Sequence, residues 1–223
     1  MSVLGKYSAL ALLFILPNVP ARSADLLDEW IAAQANLHTW TADIVQTRNF
    51  KTLAQPLVSN GRVWVAVPDR FRWELGQPPQ TIALRQPAEL TIVYPRLKRV
   101  EKYPLLAAQN GPWKDALALL EASFPRSRTN LEAQFQILAI TQTNGVASLE
   151  LQPRSTAARK FIARLEISFR TDDFSPVATA LTFSDGSSLR NEFNHSVSNP
   201  PLEPQLFEAK MEPDFTIVEP LKP

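Results

Sequence analysis

Six short β-patterned segments lie near 40–50, 59–67, 70–75, 80–85, 89–94 and 97–103, and little more than a turn separates each from the next. Asn60-Gly61, Pro68-Asp69, Gln77-Pro78-Pro79, Gln86-Pro87 and Tyr94-Pro95 supply the breaks. A parallel crossover needs a dozen or more residues, so these neighbours must run antiparallel. Further segments near 133–141, 146–152, 161–169, 177–183 and 188–194 continue the pattern. Asn144-Gly145 and Asp185-Gly186 stand at two of their junctions. Type I′ hairpin turns favour such dipeptides because both central residues need positive φ. The chain therefore predicts a mainly β, α+β fold with about eleven strands in one large curved meander.

Side chains on successive strand residues point to opposite faces. Val63, Val65 and Val67 share one face of their strand, Phe71, Trp73 and Leu75 one face of the next, and Leu90 alternates with Ile92. Two readings fit this apolar set. It can fill a sandwich or closed barrel, or it can surround a greasy cavity in a half-barrel covered by helices.

Helical spacing occurs in two places. From Asp25 to Leu37, Asp25 can cap, Asp28 and Glu29 suit the first turn, and Leu26, Trp30, Ala33 and Leu37 fall on one face. That stripe either packs on a core or lines a ligand cavity. A second helix is expected from Pro112 to Ala122, with Pro112 near its start and Ala116, Leu119 and Leu120 apolar. The proline-rich tail carries a short helix at Pro204 to Ala209 and a last strand near 214–218.

Residues 1–23 read as a secretory signal peptide. Lys6 precedes the apolar run Ala9 to Leu16, which is too short to span a bilayer, and small residues follow at Ala21 and Ser23. Cleavage within residues 21–24 leaves residues 24–223 as one domain, long enough for a sizeable core and without an internal repeat. Loss of Lys6 and Arg22 turns 23 basic residues against 22 acidic ones into a formal net charge of −1. A near-neutral chain without a basic block is unsuited to nucleic acid or to an anionic membrane surface. The chain has no cysteine, so packing alone must stabilise an exported fold.

Catalytic chemistry is hard to place. The two histidines, His38 and His195, have no partner at metal-ligand spacing. Nucleophile-elbow, SxxK and phosphate-loop patterns are missing, and the acid pairs Asp28-Glu29 and Asp172-Asp173 are adjacent rather than opposed. No catalytic residue, metal or cofactor is assigned, and a non-enzymatic binding protein is expected.

Gly61 to Leu105 resembles the LolA-type outer-membrane lipoprotein carriers. The strand Val63 to Pro68 ends in proline, the return strand carries Phe71-x-Trp73, a Pro-rich turn follows at Gln77 to Pro79, and Tyr94-Pro95 closes the set. Leu149 to Arg154 and Leu181 to Phe207 resemble that family's later hairpins and closing segment. The resemblance implies an incomplete antiparallel half-barrel with helices lidding its concave side. It also implies a monomeric periplasmic carrier that accepts the acyl chains of lipoproteins from an inner-membrane ABC transporter complex and passes them to an outer-membrane acceptor. Phe71 and Trp73 match the family's cavity aromatics, and Leu119 and Leu120 its lid. With Trp30, Leu37, Val63, Val65, Val67, Leu75, Leu90 and Ile92 they form the expected lipid-binding set.

Two positions depart from the family pattern. Val67 stands where proteobacterial members carry a lid-latching arginine, and Gln86-Pro87-Ala88-Glu89 replaces an Asp-Gly turn. A carrier of another lipid or polyene-type product, or a periplasmic lipid or lipoprotein sensor, are the alternatives.

Overall fold

A computed structural model describes residues 22–105, 122, 124–210 and 212–220. Twelve strands form one sheet: β1 Thr39–Asn49, β2 Leu57–Ala66, β3 Arg70–Leu75, β4 Thr81–Arg85, β5 Glu89–Tyr94, β6 Arg99–Pro104, β7 Phe135–Thr143, β8 Val146–Pro153, β9 Ile162–Arg170, β10 Pro176–Phe183, β11 Ser188–Ser198 and β12 Thr216–Val218. Their order is β12-β6-β5-β4-β3-β2-β1-β11-β10-β9-β8-β7. Every pairing is antiparallel except β12 with β6. Two meanders thus join where β1 meets β11, and the sheet stays open between its edges β12 and β7.

Register fixes which side chains face inward, because directly opposed residues share a face. Trp40, Val65, Phe71, Arg85, Leu90 and Tyr103 form one cross-strand row on the concave face. The convex face of β4 to β6 is covered too. Leu84, Val93 and Val100 pack there against Ala209 and Phe215 of the tail. Arg72 Nη1 and Gln86 Nε2 donate to the carbonyls of Leu206 and Phe207, which holds the tail in place.

Helix α1, Arg22–Gln34, lies against the inner face of the second meander. Leu27 and Trp30 are each 1% exposed, and the Trp30 ring stacks on Phe169 with centroids 4.8 Å apart. The helix ends before the expected Leu37 because the chain must turn into β1. Asn199 fastens that turn, accepting from His38 N at 2.8 Å and donating to Asn36 O at 3.1 Å. Two shorter helices were not expected from the sequence, α2 at Arg128–Gln134 and α3 at Thr156–Arg159. Their capping hydroxyls are Ser127 and Ser155, each accepting from a backbone N–H three residues on. The expected helix at Pro204 to Ala209 is a single 3-10 turn, Pro204–Phe207. The expected Pro112 to Ala122 helix falls outside the described residues except for Ala122.

Three local expectations change. Asn60-Gly61 is no turn but the middle of β2, where glycine is needed because a Cβ would lie 1.9 Å from the Glu74 carbonyl oxygen. Asn144 and Gly145 both have positive φ, as a type I′ turn demands, but at the second site only Gly186 does. There Asp185 accepts from Ser187 N and Oγ, so the side chain shapes a longer loop. Finally, β11 runs past Asn194 to Ser198 through a bulge opposite Ala42, with His195 at φ 50°.

Candidate binding cavity

The concave face holds a cavity of about 450 Å³, within the range of roughly 300–1,000 Å³ usual for small-molecule sites. Residues of β2 to β4 and of β9 to β11 line it together. Strands so far apart in one sheet can share a cavity only if the sheet curls, which makes it a half-barrel.

One wall is apolar and aromatic. Val63 and Val65 of β2, Phe71 and Trp73 of β3 and Trp40 of β1 supply it, with Val67 and Pro68 at the end of the hairpin. Phe193 of β11 stands edge-on to Trp40 at 5.0 Å and to Trp73 at 6.1 Å, linking the two meanders. Leu165 and Leu181 extend the apolar lining to β9 and β10. Phe124, Pro125, Leu131 and Phe135 close it from the segment around α2.

A polar seam running in from β1 meets this surface at Asn191 and Thr179. Arg48 Nε donates to Gln46 Oε1 at 2.8 Å, and Gln46 Nε2 donates to Asn191 Oδ1 at 2.9 Å. Asn191 Nδ2 in turn donates to Thr179 Oγ1 at 3.1 Å. Gln46 and Asn191 are buried, and pairing offsets the cost of burying their amides. Charge is unevenly spread as well: among the described residues Arg70, Arg85 and Arg126 line the cavity with one acid, Asp69. The buried Arg85 side chain reaches it from β4, between the inward rows of Phe71 and Leu90.

Among the described residues, the titrating groups with displaced pKa values sit elsewhere. Burial, then a hydrogen bond to Glu101, pushes the Tyr103 hydroxyl up to about 12. Asp185 is held below the usual carboxylate range by the Ser187 hydroxyl and N–H. Neither lines the cavity. His38 and His195 are exposed, and His195 Nδ1 lies 3.0 Å from Asp43 on the outer rim. Among the described residues no group of three His, Cys, Asp or Glu could hold a metal ion.

Of the residues expected at the site, Val63, Val65, Val67, Phe71 and Trp73 line the cavity. Leu90 and Ile92 share its face but pack with Tyr103, Leu105 and Phe71 in a neighbouring cluster. Leu75 lies further along β3, opposite Gly61 and Thr81. Trp30 is the core-facing side chain of α1, and Leu37 packs on the Trp40 cluster. Neither reaches the cavity. Leu119 and Leu120 lie outside the described residues. The sequence reading missed Phe193, Thr179, Asn191 and Arg85. The signal for Asn191 was its place between Leu189 and Phe193, in an otherwise apolar inward alternation.

Solved structures similar to this one include chains of distant sequence. An uncharacterized conserved protein from Thermus thermophilus is 12% identical with a TM-score of 0.51, the match covering 89% of this chain and 99% of that one. A DUF1329 family protein from Desulfovibrio piger is 11% identical with a TM-score of 0.49, over 84% and 96% of the two chains. A LolA superfamily protein from Nitrosomonas europaea is 9% identical with a TM-score of 0.43, over 84% and 97%. At such identities the Thermus match speaks for the fold alone. No curated protein matches the sequence. The family described as outer membrane lipoprotein carrier protein LolA matches residues 35–210, from the end of α1 past the 3-10 turn Pro204–Phe207. The chain belongs to the LolA family.

Proposed function

We propose that the protein is a periplasmic lipid carrier that shields the acyl chains of lipoproteins while they cross from the inner to the outer membrane. The observation that carries this reading is the cavity itself, about 450 Å³ with mainly apolar walls inside an open half-barrel. A methylene is close in size to a water molecule, whose share of liquid volume is about 30 Å³, so the cavity has room for about fifteen methylenes, roughly one long acyl chain. Each methylene kept from water is worth roughly 0.8 kcal/mol, and a sixteen-carbon chain on the order of 12 kcal/mol. A carrier must offset much of that cost and still release its load. An open-edged sheet with a partly polar floor suits both demands, and the task requires no catalytic group.

In this reading residues 1–23 direct export, residues 24–223 form the carrier domain, and the protein acts as a monomer. An inner-membrane ABC transporter complex loads it and an outer-membrane acceptor unloads it. Val67 favours a second reading, a cargo other than lipoproteins. It lines the cavity and packs with the Trp40 cluster, so the wall is apolar where an arginine would stand in proteobacterial carriers. Incubating the mature protein with vesicles that carry an acylated lipoprotein separates the two. A soluble one-to-one complex supports lipoprotein carriage. Removal of vesicle phospholipid or another lipid alone, with the lipoprotein left behind, supports the second reading.

A further inference from the structure

Hydrogen-bond polarity along the seam is forced from one end. Arginine only donates, so Gln46 must accept through Oε1 and donate through Nε2. Asn191 must then accept through Oδ1 and donate through Nδ2, which leaves Thr179 Oγ1 as the acceptor of the last bond. The Thr179 proton is thereby turned away from the chain. Thr179 lines the cavity, and its hydroxyl has no acceptor among the described residues. Thr179 is half-buried beside Leu165 and Leu181, so this donor, at the end of a chain that begins at a cation, is aimed at the cavity and can exchange a water for a ligand acceptor.

We propose that Thr179, oriented by Asn191, is a polar subsite for the carbonyl oxygen of a long-chain lipid, whether ester or carboxylate. This deepens the lipid-carrier reading and rests on it. The tail of such a lipid lies along Phe71, Trp73 and Phe193, while the donor replaces a water hydrogen bond that the carbonyl loses on entry. The subsite therefore favours acyl lipids over hydrocarbons of equal length, and it fixes which end of the cargo lies on the floor.

The test is displacement of a fluorescent acyl probe by palmitate, methyl palmitate and hexadecane, using the mature wild type and Thr179→Val, which keeps the shape and removes the donor. A neutral hydrogen bond predicts a loss of roughly 2- to 12-fold for methyl palmitate, a bond to the charged carboxylate a loss of roughly 12- to 160-fold for palmitate, and hexadecane loses nothing. A loss shared by palmitate and methyl palmitate assigns the carbonyl oxygen, and a loss confined to palmitate assigns the carboxylate form. Thr179→Ser restores wild-type affinities. Equal losses for all three ligands, or none, overturn the subsite while leaving the carrier reading intact. Failure of the wild type to bind any of them overturns the carrier reading and the subsite with it.

A readout without variants is the infrared carbonyl band of carbon-13-labelled methyl palmitate bound to the wild type. The band moves to lower frequency than in alkane if the donor is engaged. A band at the alkane position contradicts the proposal even if Thr179→Val fails to fold.

Discussion

Trp30 and Trp73 are both inward-facing indoles, yet the structure gives them different work. Trp30 is 1% exposed and its ring lies nearly parallel to Phe169, with 4° between the planes. Removing so large a buried side chain costs about 3–5 kcal/mol, a large part of the 5–15 kcal/mol that holds a domain together. Trp73 is half-buried and presents its free face to the cavity, touching Phe193 edge-on. Trp73→Ala should therefore cost only about 1 kcal/mol of stability, near the centre of the distribution for point mutants. Its larger effect falls on cargo. If the indole covers two methylenes of a bound chain, their exposure costs about 1.6 kcal/mol, or roughly 15-fold in affinity.

Urea unfolding followed by circular dichroism gives the first quantity, and displacement of a fluorescent acyl probe gives the second. The expected outcome is a double dissociation. Trp30→Ala shifts the urea midpoint strongly, while whatever remains folded binds normally. Trp73→Ala barely shifts the midpoint and binds weakly. Unchanged probe affinity in folded Trp73→Ala, or equal midpoint shifts in the two variants, would refute the division of the concave face into core and cavity.

Other consequences follow from single contacts. Gly61→Ala forces β2 away from β3, because its Cβ would sit 1.9 Å from a backbone oxygen that cannot swing aside. A loss of about 2 kcal/mol or more in urea is expected, and a neutral effect would contradict the close approach. Asn199→Ala removes the bonds to His38 N and Asn36 O and leaves alanine at φ 56°. It should cost about 2 kcal/mol and speed amide exchange at His38 and Thr39 before it affects the rest of the sheet. Tyr103, raised to about 12 by burial and by Glu101, keeps its proton in the folded state after the unfolded chain has lost its own near 10. The folded state then binds more protons, so stability falls as pH rises between about 10 and 12. Thermal melts across that window should slope down in the wild type and less steeply in Tyr103→Phe; identical slopes would refute the assignment.

Much of the fold was legible because its signals are local. Alternation and turn residues located the strands to within a few positions, from Thr39–Asn49 through Thr216–Val218. What was not legible depends on chain that is distant in sequence. Asn60-Gly61 looks like a turn until β3 is laid beside it, and the Glu74 carbonyl rather than a reversal of the chain explains the glycine. The β11 bulge at His195 exists only in register with β1, some 150 residues earlier. The same pairing brings Phe193, Asn191 and Thr179 around to face Trp73. Alternation could identify the wall made by β2 and β3 but not the wall opposite. It also could not tell Val63, at the cavity, from Leu90, which shares the face and packs away from it. Trp30 and Leu37 followed a sound helical stripe, but the stripe faces core. The polar seam was invisible because Gln46 and Asn191 meet only across the junction of the two meanders.

Native mass spectrometry with lipid extraction, on the protein purified without detergent from its native source, tests lipid carriage most directly. The account predicts a population heavier than the bare chain, with an acylated lipoprotein or another carbonyl-bearing lipid recovered in the extract. A protein that is empty throughout, and that takes up no acyl probe afterwards, would contradict it.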